Sequence, residues 1–543
     1  MYPLFAAAGV GALILSYGLY KRFKRTSMSP IRGPKPSSFV LGNLLELYQG
    51  QVGDADFRWQ TLYGNAIRFK GIFGEDQLMI TDPKAMQWIF STSAYRYPKQ
   101  HDRRVVSKLV NGEGLLWADG DVHKRQRKVM LPGFGTPESK AFLTLFKHAA
   151  ESLSTEWMDM LSKGNDGKVI VNVPAWLSRA TLDAIGEAAF DFRFGAVRNE
   201  HNDLVHVYNN MMKDIFGFPS PYQILFQGFS KYIPSQLLEY VGRHSLNPRL
   251  VRIREVNNVA TAVAKDMVNE KAETLLQGKG SRDVFSLLVK ANMDADAKNK
   301  LTEEELLAQM RTILFAGHET TSNTISWALL ELAKQPAIQS RLRTEIRQAE
   351  AAIRARGDSQ FTVADFDAMP YTTAVMKEVL RFHSVAYHAY RIAGRDDVIP
   401  LSQPVTTESG ELINEISIPK GTRIVASIAA YNRNPEIWGE DAHEFNPDRW
   451  LEGDKGRRAV SVGVYSNLMT FLGGVRACIG WRFAVVEIQA FLVEMVGKFE
   501  FTLTNKAAKI RREACLVMVP TVEGEVHDGI QLPLAISIAA RED

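Results

Sequence analysis

Cys478 stands in the run Phe471-Leu472-Gly473-Gly474-Val475-Arg476-Ala477-Cys478-Ile479-Gly480, and Cys515 is the only other cysteine of the chain. Glycines on both sides of the thiol allow a tight loop whose backbone comes close to a neighbour. Free N–H groups of such a loop can point at a thiolate sulfur, and Arg476 supplies a fixed cation suited to a carboxylate. The apolar run from Trp481 to Phe499 reads as a helix, which places the sulfur near a positive N-terminus, where a thiolate is favoured. A cysteine in isolation is most often a small buried hydrophobe; the company of Cys478 argues for a thiolate that binds something. Two cysteines cannot build a four-thiolate zinc or iron–sulfur site, which leaves a metal held by one thiolate. They also argue against a disulfide scaffold and for a reducing compartment.

The elements that position this thiol are mainly helical. Helical spacing dominates from about Pro137 to Pro370, residues 66–81 alternate as a short hairpin with Gly74 near its turn, and 398–429 mixes short strands with turns. One long helix is well delimited. Thr302 and Glu305 form a capping box, Glu303 and Glu304 suit the positive end of the helix dipole, and Pro336 stops the periodicity after Lys334. At its middle Ala316-Gly317-His318-Glu319-Thr320-Thr321 places a glycine and a carboxylate where plain core is expected. A mid-helix glycine costs about 1 kcal/mol against alanine, which invites a functional reason. His318 reads as structural, since no second ligand lies at metal spacing. The chain has 543 residues, 45% hydrophobic and 23% charged, with a net charge of +4. That balance is globular, and the charge is too slight for a nucleic-acid binder.

The Cys478 segment resembles the haem-binding signature of the cytochrome P450 superfamily, Phe-x-x-Gly-x-Arg-x-Cys-x-Gly. Phe471, Gly474, Arg476, Cys478 and Gly480 match every specified position. Other segments resemble the family in the right order: Ala316 to Thr321 the distal-helix motif, Glu378-x-x-Arg381 the Glu-x-x-Arg helix, and Phe445 to Trp450 the segment carrying a second arginine, Arg449. His123-x-x-x-Arg127 lies where the family has Trp-x-x-x-Arg, with imidazole in place of indole, and Arg391 resembles a further propionate-binding arginine. The resemblance implies a mainly α fold with a smaller β region, one large haem domain, and haem b with Cys478 as axial thiolate. It implies that Arg476, Arg127, Arg391 and His123 hold the propionates, that Glu319 and Thr320 manage protons, and that Glu378, Arg381 and Arg449 form a structural cluster.

The implied activity is a haem-thiolate monooxygenase. It uses O2 and electrons from NADPH, delivered by a separate flavoprotein reductase, to oxidise a small lipophilic substrate, with fungal secondary metabolism and terpenoids as the expected setting. A haem-thiolate isomerase or dehydratase needing no external electrons is the alternative; a non-catalytic haem or lipid binder is a third. Lys124, Arg125 and Lys128 are candidates for attracting the reductase. Residues 216–233, rich in Phe and Tyr, read either as core or as the roof of the substrate pocket dipping into a membrane.

The N-terminus carries its own reading. Residues 2–20 hold no Asp, Glu, Lys or Arg, enough helix to span about 28 Å. Lys21, Arg22, Lys24 and Arg25 follow, the wrong side for a cleaved signal peptide. The expectation is a single transmembrane anchor at 2–20, a basic, Pro-rich linker at 21–38, and the monooxygenase domain at 39–543. The body would then face the cytoplasm, on the endoplasmic reticulum membrane.

Overall fold

The computed structural model describes residues 16, 28, 30–164, 167–198, 203–276, 283–293, 298–451 and 460–540. The expected anchor at 2–20 lies outside the described residues apart from Ser16, and so does most of 21–29. Among the described residues no helix is long and apolar enough to cross a membrane.

The expected hairpin is strands β1 (Ala66–Lys70) and β2 (Asp76–Ile80), antiparallel with Ala66 opposite Ile80. Phe73 and Gly74 take positive φ in the connection. Alternation sends Ile67, Phe69 and Met79 into a small cluster with Leu44 and Trp59, and Leu78 and Ile80 into the main core. Upstream, the Pro-rich segment packs against this hairpin from Ile31 onward. Ile31 is buried and bridges Thr407, and Arg68 N–H donates to Arg32.

The helices that frame the site follow in chain order. These are α1 (His101–Asn111), α2 (Gly120–Met130), α3 (Leu143–Lys163), α4 (Val173–Phe190), α5 (Asp203–Tyr208), α6 (Pro221–Ser230), α7 (Glu303–Lys334) and α8 (Pro370–Phe382). Strand β3 (His388–Ile392) and strand β4 (Arg423–Ser427) complete one mixed sheet in the order β1-β2-β4-β3, with β2 and β4 parallel. Helix α9 (Trp481–Lys498) follows the cysteine loop and lies against α3 and α7. Smaller antiparallel sheets close the C-terminal part. The fold is mainly helical with a minor sheet region, as the sequence leads one to expect.

Helix α7 starts at the anticipated capping box and ends at Lys334. It is buried nearly throughout from Leu307 to Ala333 and packs along α4. Gly317 is explained by that packing: a Cβ there would lie 2.7 Å from Ile185 of α4. The helix runs unbroken through Gly317, so the glycine permits close approach rather than marking a loosened turn.

Candidate active site

The cysteine loop is closed by Cys478 N–H donating to Phe471 O at 2.8 Å and Ala477 N–H donating to Gly474 O. Gly474 is demanded twice, by a φ of +66° and by a Cβ position 2.1 Å from Phe90 O. Gly480 is demanded by neither. Its φ is −93°, and a Cβ there would meet nothing nearer than Phe134 at 3.7 Å. What Gly480 gives is its N–H, directed at the Cys478 sulfur from the first residue before α9. Phe471 is buried under the loop with its ring edge toward Tyr465.

Cys478 is accessible, yet deep enough that burial raises its thiol above the usual value. It faces an internal space rather than bulk water. The Gly480 N–H and the Arg127 guanidinium oppose that rise by favouring the thiolate. Cys515, by contrast, is a buried structural thiol. Among the described residues no group of three His, Cys, Asp or Glu is placed to hold a metal.

Around the same space the chain collects cations. Arg476 donates to Ala94 O at 2.7 Å and pairs with Asp119, but its Nε has no partner. Arg391, on β3, donates one N–H to Tyr390 O, leaves its own Nε unpartnered, and lies over the Phe90 ring at 4.9 Å. Burial, then Arg476, holds it down at about 9. Arg127 is half-buried and has no carboxylate partner; burial lowers it while Cys478 pulls it back up. His123, one turn earlier on α2, is buried with Nδ1 3.1 Å from the Tyr95 hydroxyl. Burial first, then Lys99, Arg476 and Arg127, push it to about 3.

Lys99 belongs to this cluster and carries no motif in the sequence. Its ammonium donates to the carbonyls of Leu115, Leu116 and Ala118. Burial and then Arg391 lower it to about 7. Asp119 is the carboxylate the cluster holds, kept below its usual range by the Lys99 and Gly120 N–H groups and by Arg476 against the effect of burial. Cations in excess, with unpartnered buried nitrogens, require anionic oxygens from a ligand. A porphyrin fits: its two carboxylates answer the cations, and its iron answers Cys478.

The predicted pair on α7 is not brought together. Thr320 Oγ1 donates to Ala316 O at 2.7 Å, and the residue is half-buried. Glu319 Oε1 accepts from Ser178 of α4 at 3.0 Å, and Asn323 Nδ2 lies 3.3 Å from Oε2.

The structural cluster is assembled in full. Glu378 and Arg381 are both wholly buried, with nitrogen and oxygen 2.7 Å apart, so this is no exposed helix pair. Arg449 Nε reaches Glu378 at 3.1 Å, Trp450 donates to the other carboxylate oxygen, and Arg381 also grips the carbonyls of Asn432, Ala442 and Glu444. Of the basic residues on α2, Arg125 is held by Glu305, whereas Lys124 and Lys128 stay exposed.

The family model for cytochrome P450 matches residues 32–526. Cytochrome P450 monooxygenase 205 of Postia placenta is 34% identical over 524 residues, 94% of this chain and 93% of that protein. Cytochrome P450 monooxygenase claP of Ampulloclitocybe clavipes is 32% identical over 535 residues, 96% of each chain. Likeness of that extent makes the chain a member of the cytochrome P450 family, an oxidoreductase that holds haem through a cysteine thiolate.

Proposed function

We propose that this protein is a monooxygenase that transfers one oxygen atom of O2 to a small lipophilic substrate, with NADPH electrons delivered by a separate flavoprotein reductase. The overall balance is substrate, O2, two electrons and two protons to hydroxylated product and water. When bound, haem supplies the site for O2, and its thiolate ligand supplies electron density for O–O cleavage. The chain's residues do the rest. Cys478 ligates the iron, with the Gly480 N–H and Arg127 favouring its thiolate. Arg127, Arg391, Arg476 and His123 receive the propionates, and Lys99 joins them. Thr320 places a hydroxyl on the interior side of α7, and Glu319 holds the proton supply behind it. The single observation that carries the reading is a thiol, aided by a backbone N–H, facing a space rimmed by unneutralised cations.

The isomerase alternative needs no proton handling, so an acid and an alcohol in mid-helix favour the monooxygenase. The relatives' printed names, all cytochrome P450 monooxygenases, favour it too. A terpenoid or other secondary metabolite as substrate rests on fungal relatives alone.

The membrane reading has one local support. Phe39, 71% exposed, contacts Phe73, which contacts Phe229 of α6, and Tyr222 and Phe226 of that helix are exposed. Exposed aromatic rings thus gather where the chain reaches the body from its basic linker, as suits a body resting on a bilayer beside its anchor. Lys124 and Lys128, exposed beside the propionate-facing helix side, suit an acidic reductase.

The deciding experiment is the carbon monoxide difference spectrum of the reduced protein, followed by product analysis with and without NADPH and reductase. The thiolate band is expected in wild type and absent in Cys478→Ser. Product formed equally well without NADPH would favour the isomerase.

A further inference from the structure

On the side of α7 that carries Glu319, a pocket of about 130 Å³ opens between α4, α5 and α7. It has room for roughly four waters at about 30 Å³ each. Its rim holds the exposed His206 and Asn209. Its floor is His318, Glu319, Ser322 and Asn323, none more than 5% exposed. Two polar atoms on that floor, His318 Nε2 and Asn323 Oδ1, have no hydrogen-bond partner. Buried polar atoms beside a space of this size are satisfied by water. The pocket is therefore a funnel that can hold water between solvent and the Glu319 carboxylate.

His318 is more than lining. Its Nδ1 lies 2.6 Å from Leu314 O, and a carbonyl only accepts, so Nδ1 carries the hydrogen. Its Nε2 lies 3.5 Å from Glu319 Oε1. A neutral imidazole and an ionised carboxylate would present lone pairs to one another across that gap. The contact is favourable only with a proton on the pair or a water bridging it. The charged and titratable groups facing the pair are Arg179 from α4, His206 and Tyr208 from α5, and Arg311 from α7 near Tyr208. The Tyr208 ring tilts against the imidazole with centroids 4.6 Å apart. Burial pushes the Tyr208 hydroxyl above its usual range, with Arg311 opposing and Glu319 adding.

We propose that His318 is a positioning residue for proton supply: it shares a proton with Glu319 and keeps that carboxylate in contact with the funnel that starts at His206 and Asn209. The proposal rests on the monooxygenase reading and deepens it. A proton passes from pocket water to the pair, and bulk solvent at the rim replaces it. No electrons move, and only O–H and N–H bonds change. Delivery toward Thr320 requires the Glu319 carboxyl to leave Ser178 and turn about its side-chain torsions, because consecutive helical side chains project about 100° apart.

The test has two arms on the full-length holoenzyme. In the ferrous carbon monoxide form labelled with 13C at histidine Cε1, the resonance lost in His318→Phe identifies His318. That resonance is expected to move in Glu319→Gln and to stay in place in Ala175→Leu, because the imidazole Nε2 faces Glu319 Oε1 at 3.5 Å. With reductase, NADPH and whichever lipophilic compound wild type oxidises, product per NADPH is expected to fall roughly tenfold in His318→Phe. A similar fall is expected in Ala175→Leu, which narrows the funnel without touching the pair, and the carbon monoxide band reports that both variants are folded. A resonance unmoved in Glu319→Gln, or unchanged coupling in both variants, overturns the proposal. Absence of any O2-dependent product from wild type overturns the monooxygenase reading instead, and the His318 resonance still decides the pair.

Discussion

Glu319 and Thr320 are consecutive residues that bond in different directions from α7: the carboxylate is held by Ser178 of α4, the hydroxyl by the helix's own Ala316 carbonyl. The acid thus faces the pocket between α4, α5 and α7, while the alcohol turns back onto its own helix.

Thr320→Ala removes the interior hydroxyl and no tertiary hydrogen bond, since Thr320 donates only within its own helix. Stability is expected to change by less than about 1 kcal/mol, alanine being the better helix former. NADPH consumption is expected to continue while product per NADPH falls, with the difference recovered as hydrogen peroxide. Unchanged coupling would remove Thr320 from proton handling.

Glu378→Ala leaves Arg381 buried with three carbonyl partners and no counter-charge, and takes from Arg449 one of its two carboxylates. Removing one member of a buried ion cluster costs about 3–5 kcal/mol. Folded, haem-loaded protein is expected to fall sharply on expression, with a lowered urea midpoint in whatever remains. A midpoint equal to wild type would show the cluster to be dispensable.

Glu487 on α9 is wholly buried, and neither carboxyl oxygen has a hydrogen-bond partner. Burial pushes it well above the usual carboxylate range. An acid whose folded value is raised binds more protons folded than unfolded, so stability falls as pH rises above the unfolded value of about 4.3. Glu487→Gln removes that titration. The variant is expected to be more stable than wild type near pH 8 and no more stable near pH 4, as measured by urea denaturation. A difference that does not depend on pH would show that Glu487 is already paired or solvated.

Periodicity and capping residues are local, and they were legible. The limits of α7, the β1–β2 hairpin and the helix after Cys478 all follow from spacing and stop signals within a few residues. The cysteine loop and the Glu378–Arg381–Arg449 cluster were legible because several residue types recur at fixed spacing. The packing reason for Gly317 was not legible, because the Ile185 side chain it admits lies on another helix 132 positions away. Lys99 was missed for a similar cause. Nothing beside it in the sequence distinguishes a lysine at a ligand from one in solvent, and only folding brings it to Arg391 and Arg476. His318 reads as structural in one dimension because its partners, Tyr208 and the funnel, come from α5 and α4.

Lys99 and His123 give the haem site a pH dependence whose sign follows from their surroundings. Against a partial opposing pull from Asp119, Lys99 is lowered from 10.5 to about 7 and His123 from 6.5 to about 3, burial being the first cause of each. A base lowered on folding binds fewer protons folded than unfolded. The ligand-free fold therefore gains stability as pH rises from about 7 to 10.5 for Lys99, and loses it as pH falls from 6.5 to about 3 for His123. Propionates reverse the local charge and favour protonated Lys99, so above pH 7 haem binding must take up a proton there and weakens as pH rises. The haem dissociation constant is accordingly expected to rise between pH 7 and 9 in wild type. In Lys99→Met, with no ammonium to titrate, it should be larger at pH 7 and nearly flat across that interval. A wild-type slope retained in Lys99→Met would place the titrating group elsewhere and remove Lys99 from the propionate site.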